Sequence, residues 1–245
     1  MKRLIRKYKK YTVVLSIIIP TLNEEKYLPK LLECIKNQTY KDFEVIVADG
    51  NSKDKTVDIA NRNKCKIIFE PKDGKGHPGK ARNCGAKIAR GSILLFLDAD
   101  VEFENDFIEK SIREFKARKL GICRAKLSNP QDELGAGIFN FYQSLFDNSA
   151  YPRAAGFFIM TKRSLFEKVG GFDESLILAE DHNLAWRIAR ISKFGTLSTK
   201  FRTSMRRWKE EKIKLLFKYL SVEVRLLFHQ DIRKVNFKYE FGKHQ

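Results

Sequence analysis

Through the first hundred residues, apolar runs alternate with amphipathic stretches. Residues 13–19 are apolar apart from Ser16 and read as a strand buried on both faces. A polar break at Pro20-Thr21-Leu22-Asn23-Glu24 follows. Residues 25–37 then place Leu28, Leu31, Leu32 and Ile35 on one helical face. Residues 43–48 give a second strand, closed by Asp49-Gly50-Asn51-Ser52, and a short helix over 54–61 leads to a third strand at 66–69. A glycine-rich loop over 71–79 precedes a helix at 80–89. The apolar run Ser92-Ile93-Leu94-Leu95-Phe96-Leu97 then stops abruptly at Asp98-Ala99-Asp100. This βαβαβαβ order predicts an α/β fold whose central, mostly parallel sheet is covered by helices on both faces.

Beyond Asp100 the pattern becomes mixed. Helices are predicted at 105–117 and 134–146, strands at 121–127 and 156–161, and a short helix at 162–169 before Gly170-Gly171-Phe172-Asp173. A further helix begins near Glu180 and runs through Ile191. Residues 212–228 are amphipathic at helical spacing. Lys214, Lys218, Ser221 and Arg225 form a polar stripe, with Leu216, Phe217, Leu220, Val224 and Leu227 opposite. Such a segment either lies in a membrane interface or packs on its own domain. The expected division is a domain over 1–208, with 1–12 as a basic extension, and a basic amphipathic tail over 209–245.

Composition changes this picture in one respect, which is charge. The 245 residues hold 48 Lys and Arg against 30 Asp and Glu, a net charge of +18. The excess sits at the ends: residues 1–10 carry six basic residues and no acid, and residues 200–218 carry eight against two. An anionic partner is implied, and a basic fringe around a less basic centre suits docking on a surface better than wrapping by nucleic acid. No stretch has the length of a membrane span, and the basic start lacks the pattern of a signal peptide. The four cysteines, Cys34, Cys65, Cys84 and Cys123, are too scattered for a metal site or a disulfide framework. They read as reduced thiols.

The chemistry-bearing residues fall at strand ends. Glu24 follows the first strand, Asp49 the second, and Asp98 and Asp100 the fourth, so a parallel sheet gathers them on one edge. Asp98 and Asp100 form a hard oxygen site suited to Mg²⁺ or Mn²⁺ carrying a phosphate-bearing substrate. Asp49 either accepts a hydrogen bond from a base or ribose or builds a turn. Glu180-Asp181 either caps its helix or supplies a general base. Gly74-Lys75-Gly76-His77-Pro78-Gly79 has dinucleotide-binding spacing, but four residues separate it from its strand and Pro78 stiffens it. A loop carrying Lys75, Lys80 and Arg82 towards phosphates accounts better for the same residues. Arg206-Arg207-Trp208 sets two guanidiniums beside an indole, either to hold a phosphate or as a basic surface turn.

Four of these segments, in order, resemble the family-2 glycosyltransferases of GT-A (Rossmann-like) fold. They are Ser16 to Glu25, Glu44 to Ser52, Ala81-Arg82-Asn83-Cys84-Gly85 with Leu97-Asp98-Ala99-Asp100, and Gly170-Gly171-Phe172-Asp173 with Glu180-Asp181. The resemblance covers most of residues 13–208. It implies an inverting transferase moving a sugar from a UDP- or GDP-sugar to an acceptor hydroxyl, while the basic ends and amphipathic tail point to a lipid-linked or saccharide acceptor at the cytoplasmic membrane face. Pro20, Thr21, Glu24, Asp49, Lys80, Arg82, Asp98 and Ala99 would bind the nucleotide sugar, and Asp100 with Asp98 would hold Mg²⁺ or Mn²⁺. Asp181, paired with Glu180, would be the base. Arg206-Arg207-Trp208 resembles the family's R-W element without its preceding glutamine, and would meet phosphate or acceptor. A metal-dependent nucleotidyltransferase acting on a sugar phosphate is the alternative. A nucleic-acid-binding module, suggested by charge alone, has no motif behind it.

Overall fold

The computed structural model describes residues 13–71, 77–130, 132–176 and 178–204. Among them, β1 (Val13–Thr21), β2 (Phe43–Asp49), β3 (Lys66–Phe69) and β4 (Gly91–Leu97) alternate with α1 (Leu28–Lys36), α2 (Thr56–Arg62) and α3 (Pro78–Ile88). There follow β5 (Val101–Glu102), α4 (Phe107–Ala117), β6 (Ile122–Leu127), α5 (Glu133–Ser144) and β7 (Phe158–Lys162). α6 (Arg163–Lys168), α7 (Glu180–Ala189) and β8 (Phe194–Thr203) complete the order. The described strands form one sheet in the order β3-β2-β1-β4-β7-β6-β8-β5. This is the expected α/β sheet flanked by helices.

Its first four strands are parallel. Both faces are apolar because alternate side chains point opposite ways. Leu15, Ile17 and Ile19 of β1 and Ile93, Leu95 and Leu97 of β4 pack with α1 and α4 residues in one core. Ile18, Leu94 and Phe96 join α3, α6 and α7 residues in the other. Gly85 lets α3 approach β1 closely, since a Cβ there would lie 2.5 Å from Ile18 Cγ2. The start of α3 is set by His77, whose ring accepts the Lys80 N–H, followed by Pro78 in the first turn. The helix therefore begins two residues before the expected start at 80.

The second half of the sheet is mixed. β7 runs antiparallel to both β4 and β6, so β6 is parallel to β4, and β8 is parallel to β6. The C-terminal ends of β1, β2, β4, β6 and β8 thus share one edge. Two of these strands, β5 and β8, are absent from the sequence expectation. β8 alternates buried Leu197, Thr199 and Phe201 with exposed Ser198, Lys200 and Arg202. Its polar half masks a period-two pattern. After β6, Asn140 of α5 donates to the Leu127 carbonyl at 2.7 Å and accepts its N–H at 2.9 Å. A side-chain amide thus extends the ladder of β6 and pins α5 to the strand end.

Candidate active site

On the β1–β2 side, Thr21 and Asp49 are register partners at the strand ends. Asp49 is fully buried. Its Oδ2 accepts from Thr21 Oγ1 at 2.9 Å and Ser52 Oγ at 2.6 Å, and its Oδ1 accepts the Ser52 N–H at 2.8 Å. With these bonds the carboxylate shapes the loop that Asn51 enters at φ 68°. Glu24 is also buried, and its N–H donates to Thr56 Oγ1 at 2.7 Å, tying the loop after β1 to the start of α2. Pro20 lies in β1 opposite Ala48. Lys80 sits in the first turn of α3, and Ala99 is buried between the two aspartates.

One strand beyond β1 from Asp49, Arg82 of α3 joins three segments. It is 2% exposed, and its Nη2 donates to Asp98 Oδ1 at 2.8 Å while Nη1 donates to Glu180 Oε1 at 2.9 Å. Nη2 also reaches the Gly156 carbonyl at 3.5 Å, and Gly156 N–H donates to Asp181 Oδ2 at 2.8 Å. Gly156 has to be glycine here, because a Cβ would lie 2.8 Å from Arg82 Nη2. Burial works against the Arg82 charge, but Asp98, Glu180 and Asp181 together hold its proton firmly. Glu180 is raised to about 7 by burial and by the Asp181 charge, against the pull of Arg82. Burial also pushes Asp181 upward, yet His182 and Arg82 outweigh it, so its carboxyl lies below the ordinary range and stays ionised. The acid pair is thus split into a proton-rich and a proton-poor member.

Asp100 turns towards β8. Its Oδ2 accepts from Thr203 Oγ1 at 3.1 Å and from Ser204 Oγ. In donor type Asp98 and Asp100 suit a small hard cation; Asp98 is bonded to Arg82, and Asp100 to Thr203 and Ser204. Among the described residues no third acidic, His or Cys side chain completes a preformed cage. The Ser204 contact also brings the chain to the site rim just before Arg206, Arg207 and Trp208. Those three residues, Lys75 and the amphipathic stretch 212–228 lie outside the described residues.

Several residues of this region escape the sequence reading. Ala179, the residue before α7, adopts φ 60°, a left-handed conformation for an L residue immediately before Glu180. Asn83 holds the Gly170-Gly171-Phe172 turn, accepting the Phe172 N–H and donating to its carbonyl, each at 2.9 Å. Arg153 is 1% exposed, its guanidinium 4.3 Å from the Phe146 ring centroid and 5.6 Å from that of Trp186. It fastens the segment after α5 to α7, one turn beyond Asp181. The only sequence signals were a glycine just ahead of an apolar strand and an arginine among aromatics.

Residues 16–170 match the model for glycosyl transferase family 2. The chain belongs to that family. Among curated family-2 relatives, an uncharacterized glycosyltransferase of Rickettsia prowazekii is 28% identical over 201 residues, 74% of this chain and 60% of that one. The 4,4'-diaponeurosporenoate glycosyltransferase of Staphylococcus haemolyticus is 39% identical over 112 residues, 44% of this chain and 30% of that one. The chain spans about three fifths of the length of its Rickettsia relatives. Residues 1–349 of S. aureus TarS, solved in complex with UDP, are 26% identical, with a TM-score of 0.63 over 81% of this chain and 63% of that one. A mannosyltransferase of Pyrobaculum calidifontis, solved with GDP-Man and Mn²⁺, shares the fold at 23% identity, with a TM-score of 0.64 over 80% of this chain and 58% of that one.

Proposed function

We propose that this family-2 chain transfers a sugar from a nucleotide-diphosphate sugar to an acceptor hydroxyl with inversion at the anomeric carbon. The observation that carries the reading is the Arg82 bridge, which couples Asp98 at the end of β4 to the Glu180-Asp181 pair on α7. The donor lies along the ends of β1, β2 and β4, with Pro20, Thr21 and Glu24 lining the nucleotide and Lys80 near its phosphates. Asp49 acts by shaping that wall. The acceptor enters from the side of α7. Asp181 takes the proton of its hydroxyl as the oxygen bonds to the anomeric carbon, and the bond to the diphosphate breaks on the opposite face. Asp98 and Asp100 would hold Mg²⁺ or Mn²⁺, which supplies Lewis-acid neutralisation of the charge on the departing diphosphate. Glu180, kept by Arg82, fixes the start of α7.

The donor class is supported by TarS, solved with UDP and UDP-GlcNAc. A net charge of +18 supports an acceptor carried on an anionic surface, with the enzyme peripheral at the inner membrane face. No helix among the described residues is long and apolar enough to cross a bilayer. The test is release of nucleoside diphosphate from UDP- and GDP-sugars in the presence of Mn²⁺. Asp181→Asn is expected to slow it by about 10²–10⁴ in a variant that remains folded by circular dichroism, and Asp100→Asn to abolish its stimulation by Mn²⁺. Wild-type turnover in Asp181→Asn would remove the base assignment. Release of pyrophosphate from a nucleoside triphosphate would replace the whole reading with nucleotidyl transfer.

A further inference from the structure

α5 is apolar on two sides. Inward, Ala136 is buried, Phe139 packs on the core and Asn140 holds the end of β6. Outward, Leu134 is 77% exposed, Ile138 61%, Phe141 67% and Leu145 61%. Their spacing of four, three and four residues aligns them on one face. Four large apolar side chains in line, each more than half in water, are what a protein surface ordinarily avoids unless something covers them.

Where the stripe lies points to what covers it. α5 is fixed to the C-terminal end of β6, and that end shares its edge with Asp98 and with the end of β8. At the same edge the chain leaves β8 through Ser204, bonded to Asp100, and residues 200–218 carry eight basic residues against two acidic. The apolar stripe therefore lies on the helix fixed at the edge where the chain leaves β8 through Ser204. Two copies of a chain at +18 repel each other, whereas an anionic bilayer attracts each one.

We infer that the outer face of α5 is a membrane-docking surface: Leu134, Ile138, Phe141 and Leu145 insert at the headgroup boundary of an anionic bilayer. The catalytic edge is then held against the lipid from which the acceptor hydroxyl is drawn. The inference rests on the reading of the site as a glycosyltransferase with a lipid-borne acceptor and gives that reading its contact surface. It assigns the apolar part of binding to α5 and the electrostatic part to the chain's net charge of +18, so attachment needs both signals.

The test is flotation of the full chain with phosphatidylcholine vesicles containing phosphatidylglycerol, compared with the Ile138→Gln/Phe141→Gln variant. Glutamine keeps helix propensity while removing the apolar surface. The variant is expected to bind at least about tenfold more weakly. Its melting temperature and its vesicle-free release of nucleoside diphosphate should match the wild type, and neither protein should bind vesicles of phosphatidylcholine alone to the same extent. Equal binding by the two proteins would overturn the inference, as would absence of wild-type binding. A dimer dispersed by the variant would assign the stripe to a second copy. A lower melting temperature without vesicle binding would assign it to another segment of this chain. Because diphosphate release is read without vesicles, failure of docking stays separate from failure of the glycosyltransferase reading.

Discussion

The two halves of the sheet share the same apolar cores and differ in connectivity and in the polar groups added to those cores. The parallel half, β3-β2-β1-β4, is built from consecutive βα units and has apolar cores on both faces. The mixed half, β7-β6-β8-β5, interleaves distant segments; its strands enter the same two apolar cores, and buried cations are added to them. Arg124 bonds Asp147 at 2.9 Å, and Arg153 lies between aromatic rings. Besides the β4–β7 ladder, Arg82 joins the two halves at their site edge, bonding Asp98 after β4 and Glu180 on α7.

Breaking that joint should have the largest effect. Arg82→Met removes the cation from between the partly exposed Asp98 and the buried Glu180 and leaves the Glu180 carboxyl without it, which costs about 3–5 kcal/mol. The loss is read as a lower urea midpoint with an unchanged slope. Glu180→Gln, which keeps a hydrogen-bond acceptor for Arg82, should cost less than half as much. If both variants melt alike, the joint lies elsewhere and the contrast between the halves fails.

The same contrast explains how far the sequence could be read. In the parallel half every helix and strand was legible to within a few residues, because its contacts follow chain order and its strands are apolar on both sides. In the mixed half β8 was missed, since its exposed Lys200 and Arg202 count as charge before they count as alternation. The acids at the strand ends could be placed on one edge from topology alone. Their partners could not: Arg82 meets Glu180 across 98 residues of chain. No local pattern gives such a pairing. Nor does sequence distinguish Asp49, whose carboxylate bonds its own loop, from Asp98, which reaches across the site.

A polar clamp also exists in the parallel half, at the edge away from the site, and gives a smaller effect. Glu44 accepts from Ser16 Oγ at 2.6 Å, Lys66 Nζ at 2.7 Å and Arg90 Nε at 3.1 Å. Burial pushes its carboxyl upward, but these donors prevail and hold it at about 2, below its ordinary 4.5. Its contribution is therefore complete above about pH 4.5 and is lost as pH falls towards 2. Glu44→Gln should cost about 1–2 kcal/mol at neutral pH, limited because Lys66 and Arg90 are 40% and 51% exposed. The difference from wild type should shrink across that acid window in denaturation series. A difference independent of pH would mean that packing, not charge, holds this end of the parallel half.

The smallest effect tests the mixed half at the entrance to α7. Ala179 at φ 60° and ψ 23° sits where an L residue costs about 1–2 kcal/mol. Glycine relieves that strain but gives back about 0.5–1 kcal/mol in chain entropy. Ala179→Gly should therefore gain about 0.5–1 kcal/mol, a rise in melting of about 1–4 °C. If the strain serves only to turn the chain, transfer is unaffected. The Arg82 bridge argues otherwise, because Glu180 and Asp181 follow directly and are positioned by that turn. A freer backbone there lets the start of α7 move relative to Asp98, so the more stable variant should be the slower enzyme, by less than about tenfold. Stabilisation with full activity would show that Arg82 alone sets the distance between donor and acceptor.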